Sequence, residues 1–196
     1  VPKIFPNILK PKTKEVLKNV VRNHKILGIY LNKMDTSDIV DMSGLFAKMP
    51  DFNEPIESWN TKNVTNMSCM FSGAMNFNQY IGDWDTRNVK DMSSMFWGAK
   101  SFNQPFNWDT GKVTDTSFMF YNAESFNQLL TFNTVNVTNM SRMFYGATLF
   151  NQPVFYLNTR NVTDMSFMFC HATSFNQLLP WNTENVTDMR FMFQGA

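Results

Sequence analysis

The chain of 196 residues has few cysteines, histidines and glycines, and few charged side chains. It contains two cysteines, two histidines and eight glycines, and 17% of its residues are charged. Two cysteines exclude a disulfide-stapled miniprotein, in which cysteine exceeds about 8–10% of a short secreted chain. No apolar run approaches the roughly 20 residues that a membrane-spanning helix requires. The length and composition therefore predict one domain of ordinary size with a buried core.

The sequence also lacks the residue groupings by which enzymes and metal sites are recognised. It contains neither a Gly-x-Ser-x-Gly nucleophile motif nor a glycine-rich phosphate-binding loop. His24 and His171 are far apart in the chain, and neither has a second histidine at ligand spacing. We therefore expect no catalytic activity and no cofactor.

Asparagine, phenylalanine and methionine are abundant, with 24, 20 and 15 copies, because they belong to an internal repeat. One Phe-containing dipeptide marks seven copies at intervals of 24 or 25 residues: Leu45-Phe46, Met70-Phe71, Met95-Phe96, Met119-Phe120, Met143-Phe144, Met168-Phe169 and Met192-Phe193. This period is too short for helical hairpins and lies within the roughly 20–29 residues of leucine-rich-type coils. A single unit this short cannot bury its own apolar residues, so the sequence predicts stacked coils.

The predicted fold is a right-handed, leucine-rich-repeat-like solenoid with short strands and short helices. Apolar residues at intervals of three or four favour a short helix over 68–73, and the Asn-Val-Thr sequence favours a short strand near Val64. Residues 34–196 form about seven repeats, the last of them incomplete. Because the chain begins at Val1 and stops within a repeat, we expect it to be part of a longer protein.

Two polar columns recur with the repeat, and both are interpreted as structural. An asparagine follows the second phenylalanine and is expected to form an amide ladder: Asn53, Asn78, Asn103, Asn127, Asn151 and Asn176. A threonine follows Asp or Asn at a predicted turn: Thr36, Thr61, Thr86, Thr110, Thr134, Thr159 and Thr183.

Residues 1–33 do not fit the repeat and form a predicted basic N-terminal cap. They carry eight basic and one acidic side chains, a net charge of +7, whereas 34–196 carry −6. An amphipathic helix is predicted after an N-cap at Thr13, followed by a strand over 26–31, and its apolar face comprises Val16, Leu17, Val20 and Val21. The segment is expected to cover one end of the solenoid. A basic face for acidic lipid is the alternative, and nucleic acid is disfavoured because no aromatic stacking platform accompanies the charge.

Columns that vary between repeats are candidates for binding, because packing does not dictate them. The residue after the Met-Phe dipeptide is aromatic in three successive repeats, at Trp97, Tyr121 and Tyr145. A stripe of Trp and Tyr is typical of binding anchors, although a second packing layer between coils would also explain it. A sparser basic column is expected beside it, either as part of a binding surface or as a solvated face: Lys62, Arg87 and Arg160.

Four aspartates form the only candidate for a metal site. Asp85 and Asp109 share one column of adjacent repeats, and Asp91 and Asp115 share another. Clustered carboxylate oxygens can bind calcium. Asparagine occupies the same columns in other repeats, however, and turn formation by Asp or Asn explains them without a metal.

The motif Asn-Val-Thr-Asx-Met-Ser-x-Met-Phe-x-x-Ala-x-x-Phe-Asn-Gln, seen best at 136–152 and 161–177, resembles the repeat of BspA-like leucine-rich-repeat surface proteins. This is also known as the mycoplasma-type lipoprotein repeat, and residues 13–46 look like the lead-in segment of that family. Departures occur only at packing positions: Thr116, Phe132, Leu157 and Arg190. The resemblance implies surface proteins of bacteria, protists and some large DNA viruses that act in adhesion and protein recognition, without catalytic residues.

The expected function is that of a non-enzymatic, surface-exposed module for adhesion or protein binding. Its partner would be a protein of a host or of the source itself, and its location the cell surface or the extracellular space. Contact with a membrane would come only through an anchor outside this sequence. An architectural component of a virion or cell-surface lattice is the alternative, and a calcium-dependent recognition scaffold is the third reading.

Overall fold

A computed structural model describes residues 8–196. Its helix α1 (Lys14–Leu27) begins after Thr13, whose side chain accepts a hydrogen bond from the Val16 N–H, as predicted for the N-cap. The strand predicted over 26–31 is wrong. Gly28 ends α1 in a left-handed conformation (φ 63°) and directs the chain into a short 3-10 helix, Leu31–Lys33.

Successive repeats are joined by isolated parallel bridges, and residues 8–196 contain no longer strand. Each bridge links equivalent residues of neighbouring repeats: Asp41, Asn66, Asp91, Asp115, Asn139, Asp164 and Asp188. The short strand predicted near Val64 is therefore a single bridged residue, Asn66, two positions later.

The short helix predicted over 68–73 is a run of turns. The Met70 N–H donates to the Met67 carbonyl at 3.2 Å, which is a turn hydrogen bond rather than the i to i−4 bond of an α-helix. The next N–H, that of Phe71, donates instead to the Met95 carbonyl of the following repeat at 2.8 Å. Apolar spacing of three to four residues suits both structures, so the sequence pattern alone did not separate them.

Left-handed residues produce these turns and exclude a helix, whose φ is near −63°. The first column of such residues has φ between 53° and 59°: Gly44, Cys69, Ser94, Phe118, Arg142, Phe167 and Phe191. The second has φ between 52° and 74°: Lys48, Gly73, Gly98, Asn122, Gly146, His171 and Gly195. Each repeat therefore has two sharp backbone reversals four residues apart.

The core is a continuous stack of aromatic rings between the repeats. Within one repeat Phe71 stacks on Phe77 with ring centroids 4.0 Å apart, and Phe71 stacks on Phe96 of the next repeat at 5.5 Å. All three rings are fully buried. Full burial of one such side chain contributes about 1.5–3 kcal/mol, so stacking supplies what a single repeat lacks.

Both polar columns bond successive repeats, which confirms their structural interpretation. The Asn103 Oδ1 accepts hydrogen bonds from the Asn127 N–H and the Gln128 Nε2, each at 3.0 Å. The buried Thr86 hydroxyl donates to the Asp109 carbonyl of the next repeat at 2.9 Å. The same bonds recur along both columns, so these residues serve packing.

Helix α1 lies over the first repeat and is held there by apolar packing and ion pairs. Leu17 and Val21 are fully buried in the common core. Lys10 and Lys12, which precede the helix, and Lys14, its first residue, pair with the first repeat: Lys10 with Asp35 and Asp38, Lys12 with Asp38, and Lys14 with Asp41, at 2.7–3.2 Å. The opposite charges of the N-terminal segment and the repeats are therefore partly neutralised within the molecule.

The last repeat shows what a following repeat contributes. Met189 and Phe193 are 47% and 50% exposed, whereas their equivalents one repeat earlier, Met165 and Phe169, are fully buried. Burial of the inward columns thus depends on the next repeat. Within residues 8–196, no helix combines the length and the hydropathy that crossing a membrane requires.

Candidate binding surface

The structure places the three predicted aromatic residues in one continuous contact. Trp97 meets Tyr121 edge to face at 5.2 Å and 60°, and Tyr121 stacks on Tyr145 at 4.5 Å and 6°. Trp97 is 43% exposed, and both tyrosines are partly exposed. The column thus shows the contact between repeats expected of a packing layer together with the exposure expected of a binding stripe.

Sequence reasoning missed a second column on the same surface, at the first left-handed position of each repeat. The Phe118 ring lies 5.7 Å from Trp97 and 5.8 Å from Tyr121. The Arg142 guanidinium lies 5.1 Å from the Phe118 ring centroid and 4.5 Å from that of Phe167. This column also varies between repeats, so the criterion that found its neighbour would have found it. We call the two sets together the aromatic face: Trp97, Phe118, Tyr121, Arg142, Tyr145 and Phe167.

The turns determine which side chains reach this face. In one repeat Met119 and Phe120 are fully buried, whereas Phe118 before them and Tyr121 after them are partly exposed. Phe118 itself has a φ of 57°. The left-handed backbone therefore sends two residues inward and turns the residues on either side of them outward in the first five repeats, whereas in the sixth repeat Cys170 is itself buried.

The tyrosine and cysteine at this surface are neutral near pH 7, which leaves arginine as its fixed charge. Burial raises the pKa of the Tyr145 phenol, and the neighbouring Tyr121 raises it further. Burial also raises the pKa of the Cys170 thiol, which lies beside Tyr145. Among the ion pairs of residues 8–196, none includes Arg142. The aromatic face is thus apolar with one positive charge.

The predicted basic column is exposed but separate from the aromatic face. Lys62, Arg87 and Arg160 lie on the turn that follows the threonine column. The Arg87 Nε donates to the Asp85 Oδ1 of its own turn at 2.8 Å. In the described part of the chain, no ring contact or cation–ring contact involves these three residues. They form a solvated face of turns.

The four candidate calcium ligands close turns. Each accepts a hydrogen bond from the backbone N–H two residues later: Asp85 at 3.3 Å, Asp91 at 2.9 Å, Asp109 at 3.0 Å and Asp115 at 2.7 Å. Within residues 8–196, no group of three or more His, Cys, Asp or Glu side chains is arranged to hold a metal ion. These hydrogen bonds support the turn interpretation of both aspartate columns.

A shallow cleft between α1 and the first repeat contains a buried histidine. The His24 Nδ1 lies 2.6 Å from the Val21 carbonyl, and within residues 8–196 its Nε2 has no hydrogen-bond partner. The Glu54 Oε1 is 3.9 Å from that Nε2. Lys25 already pairs with Glu54 at 3.2 Å, so the polar groups of the cleft mainly join the helix to the repeat.

Comparison with known proteins gives a family and no activity. The model of a family described as "Mycoplasma protein of unknown function, DUF285" matches residues 15–131 and again residues 106–196. No curated protein matches the chain, and no solved structure does. The two matched segments overlap and together cover residues 15–196, which is all of α1 except its first residue and all the repeats. By this match, the chain belongs to the DUF285 family of mycoplasma proteins of unknown function.

Proposed function

We propose that the protein is a non-enzymatic recognition module, exposed on a surface, that binds a partner protein through the aromatic face. The observation that carries this proposal is the joined, partly exposed set of Trp97, Tyr121 and Tyr145. The same column holds only Ala47 and Ser72 in the first two repeats, so packing does not require large rings there. Clustered Trp and Tyr side chains commonly dominate binding energy at protein interfaces.

The backbone beneath the aromatic face is fixed between repeats, which favours binding. The Gly98 N–H donates to the Tyr121 carbonyl at 2.7 Å, and the Asn122 N–H donates to the Tyr145 carbonyl at 2.7 Å. Each ring is further restrained by its neighbours in the adjoining repeats. Such a surface loses little conformational entropy when a partner docks.

We also propose that the chain forms a right-handed, leucine-rich-repeat-like solenoid of the BspA-like kind. Support comes from the regular bridges between equivalent residues of successive repeats and from the repeat motif itself. In this setting the protein lies at the cell surface or is secreted, and any membrane contact comes from an anchor outside the sequence. The partner is a protein of a host or of the source.

The test is capture of partners from two sources, host extracellular proteins and the envelope or particle of the source. A captured protein is then purified, and its affinity is measured for the wild type and for Trp97→Ala/Tyr121→Ala/Tyr145→Ala. The matched control is Lys62→Ala/Arg87→Ala/Arg160→Ala, which alters an exposed column outside the aromatic face. We expect at least a hundredfold loss for the aromatic variant and less than a threefold change for the control. Equal affinity of both variants would contradict the proposal.

An architectural role, as a component of a virion or cell-surface lattice, is the second candidate. Such a lattice predicts self-derived partners at fixed stoichiometry, bound equally well by the aromatic variant. Recovery of only such partners would replace the recognition proposal with this one.

A calcium-dependent form of recognition is the third candidate. It predicts that a chelator lowers the melting temperature and weakens partner binding. Because the four aspartates already accept backbone hydrogen bonds, we expect the chelator to change neither quantity.

A further inference from the structure

We infer that the aromatic face selects an acidic peptide segment, whose carboxylate pairs with Arg142 while its apolar side chains cover the rings. This inference deepens the proposed function and rests on it. The expected partner is a peptide with Asp or Glu between apolar residues. Arg142 is the residue that distinguishes this peptide from neutral peptides.

The first argument is the position of Arg142. Its guanidinium lies between two rings, 5.1 Å from Phe118 and 4.5 Å from Phe167. Cation–ring contacts orient a guanidinium without neutralising its charge, and they leave its N–H groups free for a planar acceptor. No ion pair within residues 8–196 includes Arg142. The side chain is therefore positioned for a bidentate carboxylate that the protein itself does not supply.

The second argument is the charge of the surroundings. The turn segments 93–98, 117–122, 141–146 and 166–171, which carry the aromatic face, contain no Asp or Glu. The aspartates that precede these segments keep their charge and accept backbone hydrogen bonds within their own turns, as Asp164 does from the Ser166 N–H at 2.8 Å, but among the residues that the structure describes none of them forms an ion pair with Arg142. Arg142 thus gives this surface a local positive charge, and electrostatic complementarity favours an acidic partner.

The third argument favours a peptide over an acidic sugar. Sugar rings stack on the open faces of aromatic side chains, but Tyr121 and Tyr145 cover each other's faces at 4.5 Å and 6°. Trp97 likewise contacts Tyr121 and Phe118. Because neighbouring rings cover the faces of the two tyrosines, this surface suits the side chains and backbone of a peptide better than a stacked sugar ring.

The test uses a displayed library of random 12-residue peptides, selected on the whole chain. Selected peptides are synthesised with their Asp and Glu residues intact and with Gln at the same positions. Affinities are measured for the wild type, Arg142→Gln and the matched control Arg160→Gln, which removes an exposed arginine outside the face. Hyaluronan and heparin fragments serve as acidic-sugar probes. Circular dichroism shows whether each variant folds.

We expect enrichment of Asp and Glu beside apolar residues, and at least a tenfold preference of the wild type for acidic peptides over their Gln counterparts. Arg142→Gln should abolish that preference, and Arg160→Gln should retain it. Neutral or basic selected peptides, no selected peptide, tighter binding of a sugar probe, or an unchanged preference in Arg142→Gln would each overturn the inference. If Trp97→Ala/Tyr121→Ala/Tyr145→Ala still loses its protein partner in those cases, the proposed function stands without this specificity.

Discussion

Each repeat turns at two residues that have a left-handed backbone conformation. Only some of these residues are glycine. The second position is Gly98 in one repeat and Asn122 in the next, with φ of 67° and 52°. Asparagine tolerates this conformation better than most residues because its short polar side chain bonds locally. In the sequence the second column contains only Gly, Asn, Lys and His, but its left-handed conformation became apparent only from the stacked turns.

Substitution at these two positions should affect stability in opposite directions. Gly98→Ala is expected to lower the free energy of unfolding by about 1 kcal/mol, the usual cost of a left-handed alanine. Steric overlap adds nothing, because the nearest atoms to a Cβ there lie 3.9 Å away. Asn122→Gly, the matched control, removes a side chain from a left-handed position and should leave stability unchanged or raised. Urea unfolding measures both, and a stabilised Gly98→Ala would contradict this account.

Neighbouring residues on opposite sides of the turn should differ sharply in their effect on stability. Phe96→Ala is expected to lower the free energy of unfolding by about 3–5 kcal/mol, because that ring is fully buried in the stack. Trp97→Ala should lower it by only about 1–2 kcal/mol, since Trp97 is 43% exposed and loses two aromatic contacts at the surface. Thermal unfolding of both variants gives the comparison. Equal losses would place Trp97 in the core and weaken its assignment to a binding surface.

At the scale of elements, the segment around 68–73 shows which structural features the sequence pattern determines and which it does not. Period, inward residues and the boundaries of each unit follow from the recurring Met, Phe and Asn. The choice between helix and turns does not, because Met67 and Met70 face inward in either structure. Hydrogen bonds between repeats decide it: alternate N–H groups, such as that of Phe71, donate to the next repeat instead of forming a helix.

The contribution of the asparagine ladder to stability can be measured by removing or keeping the acceptor oxygen at one of its positions. Asn103→Ala removes the oxygen that binds the Asn127 N–H and the Gln128 amide, so we expect a loss of about 1–3 kcal/mol. Asn103→Asp keeps an acceptor at that position and should lose clearly less at pH 7. Chemical unfolding ranks the two variants. An Asp variant as unstable as the Ala variant would show that the amide donors, and not the oxygen, stabilise the ladder.

The attachment of the N-terminal segment should depend on acidic pH. Hydrogen bonds from Ser37 and the Lys10 ammonium lower the pKa of Asp35 to about 2, and Lys12 and Lys10 lower that of Asp38. A carboxyl pKa that is lower in the folded state stabilises it above about pH 4, and this contribution disappears as the pH falls towards 2. Asp35→Asn/Asp38→Asn should therefore melt below the wild type at pH 6 and nearly equal it at pH 2. A constant difference would contradict these pairings.

At the scale of the whole molecule, the described residues form a stack of repeats with α1 at its N-terminal end. There α1 buries Leu17 and Val21 against the first repeat. The sequence predicted the stack, the helix and its Thr13 cap from period, charge and apolar spacing. It predicted only half of the aromatic face: the column of Phe118, Arg142 and Phe167 also varies between repeats and was overlooked, whereas the surface that it shares with the first column follows only from the left-handed backbone.

Recognition through the aromatic face is the central claim, and site-directed photo-crosslinking tests it most directly. A photoreactive phenylalanine analogue is placed singly at positions 97, 62 and 193, on the aromatic face, the basic column and the last repeat. Each variant is then illuminated with the captured partner. The account predicts crosslinks at position 97 and none at position 62 or 193. Crosslinks confined to position 193 would indicate assembly through the end of the stack, and crosslinks confined to position 62 would place binding on the basic column; either result would contradict the account.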